Sequence, residues 1–212
     1  MVETIQAKNL ELHEVEEKFG LELVDDDRFF REWQDDLPEL TDIERQRLDR
    51  VKACYLHISK YPMLEESVKM VVLSPLLDLA GFYLPPFRIT TEKQVQIAVE
   101  DEEIIIKGEL DVLVLHNNFW VLVIESKRHS LSLEPGIPQV LAYMLANRNA
   151  DFSGTVRPMF GMVTNGGNFI FLKVTKQGTQ QYANSDEFVM RRRDDLYTVL
   201  KILKRIGQLA IG

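Results

Sequence analysis

The run Phe119-Trp120-Val121-Leu122-Val123-Ile124 is apolar at every position, so the strand it forms needs cover on both faces. It continues directly into Glu125-Ser126-Lys127. Charges closing such a strand are expensive unless they are paired or bound to a metal. Strand alternation places Glu125 and Lys127 on one face. Asp111 belongs to the preceding strand, across an Asn117-Asn118 turn. If the two strands pair about that turn, Asp111 stands near the level of Glu125 and Lys127. Two carboxylates and an ammonium then converge at one end of a sheet.

The remaining sequence reads as a frame for that strand. Residues 1–50 are acidic and read as helical. Thr41 and Glu44 form a capping box opening a helix to about Ser59, and Tyr61-Pro62 ends it. Residues 63–80 read as a helix burying Leu64, Val68, Val71, Val72, Leu76 and Leu79, kinked or divided at Pro75 and closed by Gly81. From residue 87 the period changes to two. Strands are expected at Arg88–Thr90 and Gln94–Val99, over Glu103–Lys107 and Glu109–Leu115 as one strand with Gly108 as a bulge or bend, and at Phe119–Lys127. A loop at Pro135–Pro138 precedes a helix at Gln139–Asn147. Strands Met159–Thr164 and Asn168–Val174 flank an Asn165-Gly166-Gly167 hairpin turn, and a helix at Asp194–Leu209 follows. The order predicts an α/β fold with a mixed sheet flanked by helices. It divides into an acidic helical extension, residues 1–60, and a domain over 61–212 that carries the charged strand.

Two hard carboxylate ligands and a lysine suit phosphodiester hydrolysis. The carboxylates can hold Mg²⁺ or Mn²⁺ with water positions left open, and the lysine can orient water and counter negative charge. The same spacing also suits a buried ion pair that serves only the fold. Gln139 and Tyr143, at i and i+4, share the face of the helix that follows, and Glu65 or Glu66 can reach the sheet end as a further ligand. Ser126 points to the opposite face and is rejected as a nucleophile. His13, His57, His116 and His129 have no metal-ligand spacing among themselves.

Charge narrows the partners. The net charge is −8, but residues 1–50 contribute −9 and residues 51–212 contribute +1. A global field attracting nucleic acid is excluded, whereas a local basic surface is allowed. Arg128 and the run Arg191-Arg192-Arg193 are the candidates for phosphate contacts. The acidic first fifty residues allow two readings: an arm that competes for that surface or docks a basic partner, or a segment whose Leu21, Leu23, Phe29, Phe30 and Trp33 pack on the core. The one cysteine, Cys54, reads as a core residue and excludes a cysteine-based zinc site. No apolar stretch is long enough for a membrane span, the start does not read as a secretory signal, and a cytoplasmic setting is expected. No glycine is followed by lysine, so a Walker A loop and its ATP site are not expected.

Asp111, Glu125-Ser126-Lys127 and Gln139-Val140-Leu141-Ala142-Tyr143 resemble the PD-(D/E)xK nucleases, the last element being the Q-x-x-x-Y of their RecB-type members. Glu65-Glu66-Ser67-Val68-Lys69, Pro75-Leu76-Leu77 and Ala80-Gly81-Phe82 are similar to the opening helix of the nuclease domain in type I restriction enzyme R subunits. Val163-Thr164-Asn165-Gly166 and Phe169-Ile170-Phe171 resemble the late strand pair. The resemblance spans about residues 63–175. It implies a restriction-endonuclease-like αβββαβ core and Mg²⁺- or Mn²⁺-dependent endonucleolytic cleavage of DNA. Glu65, Asp111 and Glu125 would hold metal, Lys127 would be the catalytic lysine, and Gln139 and Tyr143 the accessory motif. The proline usual before the first acid is replaced by Gly108-Glu109-Leu110. Expected partners are DNA and restriction-modification or motor subunits, with a homodimer left open. The alternative is a catalytically weak nuclease-fold subunit that binds protein or DNA.

Overall fold

The computed structural model describes residues 3–99, 104–117, 119–129, 132–145, 158–175 and 179–212. Glu103, Asn118 and residues 146–147, included in the expected elements, lie outside them. Strand β1 (Glu3–Gln6) leads through a 3-10 turn to helix α1 (Leu12–Phe19) and strand β2 (Leu21–Leu23). Helix α2 (Asp42–Ile58) opens with the expected capping box: the Glu44 amide donates to Thr41 Oγ1 at 3.2 Å, and the Thr41 amide to Glu44 Oε2 at 2.7 Å. Then come α3 (Glu65–Val68), a π-helical segment Lys69–Leu73 and α4 (Ser74–Leu79). Strands β3 (Phe87–Val99), β4 (Ile104–His116) and β5 (Phe119–Ser126) precede helix α5 (Gly136–Leu145). Strands β6 (Met159–Thr164), β7 (Asn168–Thr175), β8 (Gln180–Asn184) and β9 (Phe188–Val189) and helix α6 (Asp195–Ile211) complete the order.

The strands form one sheet in the order β1-β4-β5-β6-β7-β8-β2, with β3 also on β4 and β9 on β7. The β1/β4, β5/β6 and β2/β8 pairs are parallel and the others antiparallel, so the sheet is mixed. Helices α2, α3, α4 and α6 pack on one face around Leu48, Val72, Leu76, Leu200 and Leu203. Helices α1 and α5 cover the other around Val15, Val140, Leu141 and Met144. β5 sends Leu122 and Ile124 into the first cluster and Val123 into the second, which accounts for its uninterrupted apolar run. From α3 to β6 the order is αβββαβ, as expected.

β4 has an unusual set of neighbours. β3 lines one edge from Ile104 to His116. β5 takes the other edge over Val112–His116, and β1 takes it over Ile104–Lys107. Residues 108–111 lie in the fork between them. Side-chain alternation also slips there: Leu110 and Leu113 pack on the α5 side, whereas Val112 packs on the opposite side. Asp111 thus shares the face of Leu113. Across from it on β3, between the Thr91–Val112 and Lys93–Leu110 pairs, Glu92 has φ 50°. A left-handed backbone at a non-glycine residue costs roughly 1–2 kcal/mol and tends to be kept near functional sites.

Several expectations are corrected. The first fifty residues are not purely helical, since β1 and β2 join the sheet. Phe30, Leu40, Leu48, Val51 and Tyr55 share one core with Val68, Phe169 and Leu203. Leu21 and Phe30 are buried and Leu23 is exposed. The 63–80 helix is interrupted just before Pro75 by the π segment, whose Ser74 amide donates to Lys69 O. Pro75 has no N–H for the Val71 carbonyl, so the ladder re-pairs one residue wider upstream. Leu64 caps α3 and is exposed. The expected strands before and after residue 91 are one strand, and β4 runs through Gly108 as one strand, as expected. The loop at 135–138 is shorter than expected, because Gly136–Pro138 form the first turn of α5, where a missing N–H is tolerated. Cys54 is half-buried rather than a core residue. No helix among the described residues is long and apolar enough to cross a membrane.

Candidate active site

Asp111, Glu125, Lys127, Gln139 and Tyr143 come together where β4 forks. The β4–β5 register runs through Val112–Ile124, which brings Asp111 level with Glu125. Asp111 Oδ2 accepts from the Ser126 amide at 2.7 Å. Lys127 is held at the end of β5 by its own amide, which donates to the Thr164 carbonyl at 2.7 Å. Its ammonium donates to Glu125 Oε1 at 2.9 Å and to Gln139 Oε1 at 2.7 Å. Gln139 Nε2 donates to the Tyr143 hydroxyl at 3.0 Å, and that hydroxyl donates to the Glu109 carbonyl at 3.2 Å. Glu109 lies in the fork, between the stretches of β4 paired to β1 and β5, so α5 supplies the donor there. Gln139, tied through Tyr143 to β4, and Glu125 thus orient Lys127 from two sides.

Glu125 is 5% exposed. Its Oε2 is buried and has no hydrogen-bond partner among the described residues. Burial chiefly, and then the Asp111 charge, push its carboxyl up to about 7 against the pull of Lys127. Glu65 adds to the rise, so it lies within electrostatic reach. Of the two helix glutamates, Glu65 is half-buried and Glu66 is exposed. Burial pushes the Tyr143 phenol up to about 12, so it remains a neutral donor.

Lys69 is a site residue that the sequence reading did not assign. Its Nζ lies 2.5 Å from Asp111 Oδ1. Burial alone would depress its ammonium, but the bond and charge of Asp111 outweigh that and raise it. Its i, i+4 relation to Glu65 was the available signal. The Ser126 amide was also missed, since backbone donors have no signature in side-chain spacing. The Ser126 hydroxyl is buried and has no hydrogen-bond partner among the described residues.

The fit to a divalent ion can be judged from the donor atoms. An unpartnered buried carboxylate oxygen beside a second carboxylate is a hard-oxygen donor set of the kind Mg²⁺ and Mn²⁺ take, with water completing the shell. Among the described residues, no three or more His, Cys, Asp or Glu side chains gather closely enough to hold a metal. Glu65 therefore does not join Asp111 and Glu125 as a third close ligand in this arrangement.

Arg128 is exposed at the exit of β5. Arg191, Arg192 and Arg193 are exposed after β9. Lys52 of α2 donates to the Arg192 carbonyl at 2.6 Å. The Arg191 charge reaches Tyr55, whose hydroxyl lies 3.0 Å from His129 Nδ1. The arginine run thus borders α2 and, through Tyr55 and His129, the loop leaving the candidate site. Arg192 also approaches Asp195 at 3.7 Å.

Comparison with known protein families gives a match over residues 31–180 to the family described as the type I restriction enzyme R protein N terminus. A search of curated proteins gives no match.

Proposed function

Because the chain belongs to the family of type I restriction enzyme R protein N termini, we propose that it is a metal-dependent DNA endonuclease of the PD-(D/E)xK type. The observation that carries this reading is Lys127, whose ammonium bridges Glu125 of β5 and Gln139 of α5 beside Asp111. A lysine that served only as an ion-pair partner would not need the Gln139–Tyr143 bracket as well.

Asp111 and Glu125 would hold Mg²⁺ or Mn²⁺, with Glu65 as the helix acid at longer range. Once bound, the metal would acidify water and neutralise charge developing on the phosphate. Lys127 has three ammonium hydrogens, two of which are engaged. The third can point a water at phosphorus and stabilise charge on the phosphate oxygens. Gln139 and Tyr143 position Lys127 rather than react. Arg128, Arg191, Arg192 and Arg193 would contact DNA phosphates, which orients a duplex without reading its sequence. The family's place in type I restriction enzymes makes other restriction subunits the expected protein partners.

The test is nicking of supercoiled plasmid with Mg²⁺ or Mn²⁺, run beside calorimetry with Mn²⁺. Wild type should nick and bind metal. Lys127→Ala should bind Mn²⁺ with near wild-type affinity and lose nicking by at least about 10²-fold, the scale of one positioned acid–base or electrostatic group. Asp111→Ala should lose both. Equal Mn²⁺ binding by wild type and Asp111→Ala would remove Asp111 from the metal site. DNA retention without nicking by wild type would favour a binding module instead.

A further inference from the structure

We infer that Lys69 is a tethered cation that shares Asp111 with the divalent metal and weakens the metal's hold on the site. The inference rests on the metal reading of Asp111 and Glu125 above. Three of the four oxygens on these carboxylates are already engaged. Asp111 Oδ1 takes Lys69 at 2.5 Å, Asp111 Oδ2 takes the Ser126 amide at 2.7 Å, and Glu125 Oε1 takes Lys127 at 2.9 Å. Only Glu125 Oε2 is open. The Ser126 amide is part of the β5 backbone and cannot withdraw without breaking the strand. Lys127 is bracketed by Gln139. Lys69 is the engaged donor that is free to leave.

Its setting suits departure. Lys69 begins the π segment between α3 and α4, and its side chain is 26% exposed, more than that of Asp111, Glu125 or Lys127. A flexible stem with access to water can swing away without being trapped in the interior. It also has somewhere to go. Glu65, one turn earlier, and Glu92, opposite Asp111 on β3, both act on the Lys69 charge. Leaving Asp111 therefore keeps the ammonium in the field of two other carboxylates. A lysine that only stapled helix to sheet would affect stability and leave metal affinity unchanged. One that competes for Asp111 Oδ1 must affect metal affinity, because two cations on one oxygen repel.

The measurement is Mn²⁺ calorimetry on the full chain for wild type, Lys69→Met, Lys69→Arg and Asp111→Ala, with far-UV circular dichroism on each. Lys69→Met should bind Mn²⁺ about tenfold more tightly, a coupling of ordinary size for two ligands of one group. Lys69→Arg, with a fork suited to carboxylate, should bind it more weakly than wild type. Equal or weaker Mn²⁺ binding by a folded Lys69→Met overturns the inference. Should Lys69→Met fail to fold, Lys69→Arg decides: weaker binding than wild type supports competition, and unchanged binding overturns it. Binding that Asp111→Ala abolishes but neither Lys69 variant alters leaves the metal site standing and removes Lys69 from it. No Mn²⁺ binding by wild type or either Lys69 variant overturns the metal reading and this inference together.

Discussion

Glu125 works against folding whenever it is ionised. Its carboxyl sits near 7 in the folded chain against an ordinary 4.5, chiefly because it is buried and secondarily because Asp111 is close. A folded value above the unfolded one means that the native state holds the proton more tightly. The associated stability is fully present below about pH 4.5 and is lost as pH rises through about 7. Glu125→Gln keeps an acceptor for Lys127 and removes the ionisation. In metal-free protein it should be more stable than wild type at pH 8, by about 2–3 kcal/mol. At pH 5 the difference should nearly vanish, as read by urea unfolding at the two pH values. The pair of acids and the lysine were legible in the sequence because burying charge at the end of an apolar strand is expensive and needs a reason. Lys69 was less legible, since a lysine on a short helix ordinarily faces water.

Two glycines report how closely the elements around the site approach. A Cβ on Gly108 would come within 2.3 Å of the Tyr143 hydroxyl, so β4 and α5 meet only because that position is bare. Gly108→Ala should cost about 1–3 kcal/mol by overpacking. It should also displace the hydroxyl from the Glu109 carbonyl, releasing Gln139 and then Lys127. Nicking should fall further than the lost stability explains, which activity measured well below the melting temperature will show. A Cβ on Gly136 would meet Val163 Cγ1 at 2.6 Å and Lys127 Cε at 3.2 Å, so α5 begins against the lysine stem itself. Gly136→Ala should lower nicking while sparing Mn²⁺ binding, because it pushes on Lys127 and not on Asp111. The sequence suggested that Gly108 was a bulge or bend. Its true role depends on a helix about thirty residues away, which a period-two pattern cannot report. The π segment was hidden for a similar reason: Pro75 announces a disturbance, but the choice between a kink and a wider turn is made by packing against the sheet.

At the scale of the whole molecule, the uneven charge distribution resolves into a clasp between the two ends of the chain. Asp36 meets Arg205 at 3.2 Å, Glu39 meets Lys201 at 3.0 Å, and Glu44 bonds Lys204. Tyr197 donates to Asp49 at 2.5 Å. Acid from the first quarter is therefore directed at basic groups of α6, and the idea of an arm competing with DNA loses its main support. Leu10, Val15, Leu21, Phe30 and Leu40 are buried as well. At about 1.5–3 kcal/mol for each large apolar side chain, their loss is comparable to the roughly 5–15 kcal/mol that keeps a domain folded. Deleting residues 1–40 should yield aggregated or unfolded protein, by size-exclusion chromatography and circular dichroism, rather than a tighter DNA binder. The acidic pattern was plain in the sequence. The strands within it were not, because segments of three or four residues acquire strand identity only from distant partners.

β1 pairs with β4, and β2 pairs with β8 at the far edge of the sheet, although only Ala7–Gly20 separate them in the chain. The partner of Leu23 is Tyr182. During synthesis β2 is thus made long before the strand it pairs with. At 5–20 residues per second, the wait for β8 to emerge is roughly 8–30 s. For that interval β2 has no partner strand, and Leu21, buried in the folded chain, lacks the edge it lies on. The nascent chain is accordingly open to chaperone holding of this segment, and slower translation between residues 23 and 182 would lengthen the exposed period.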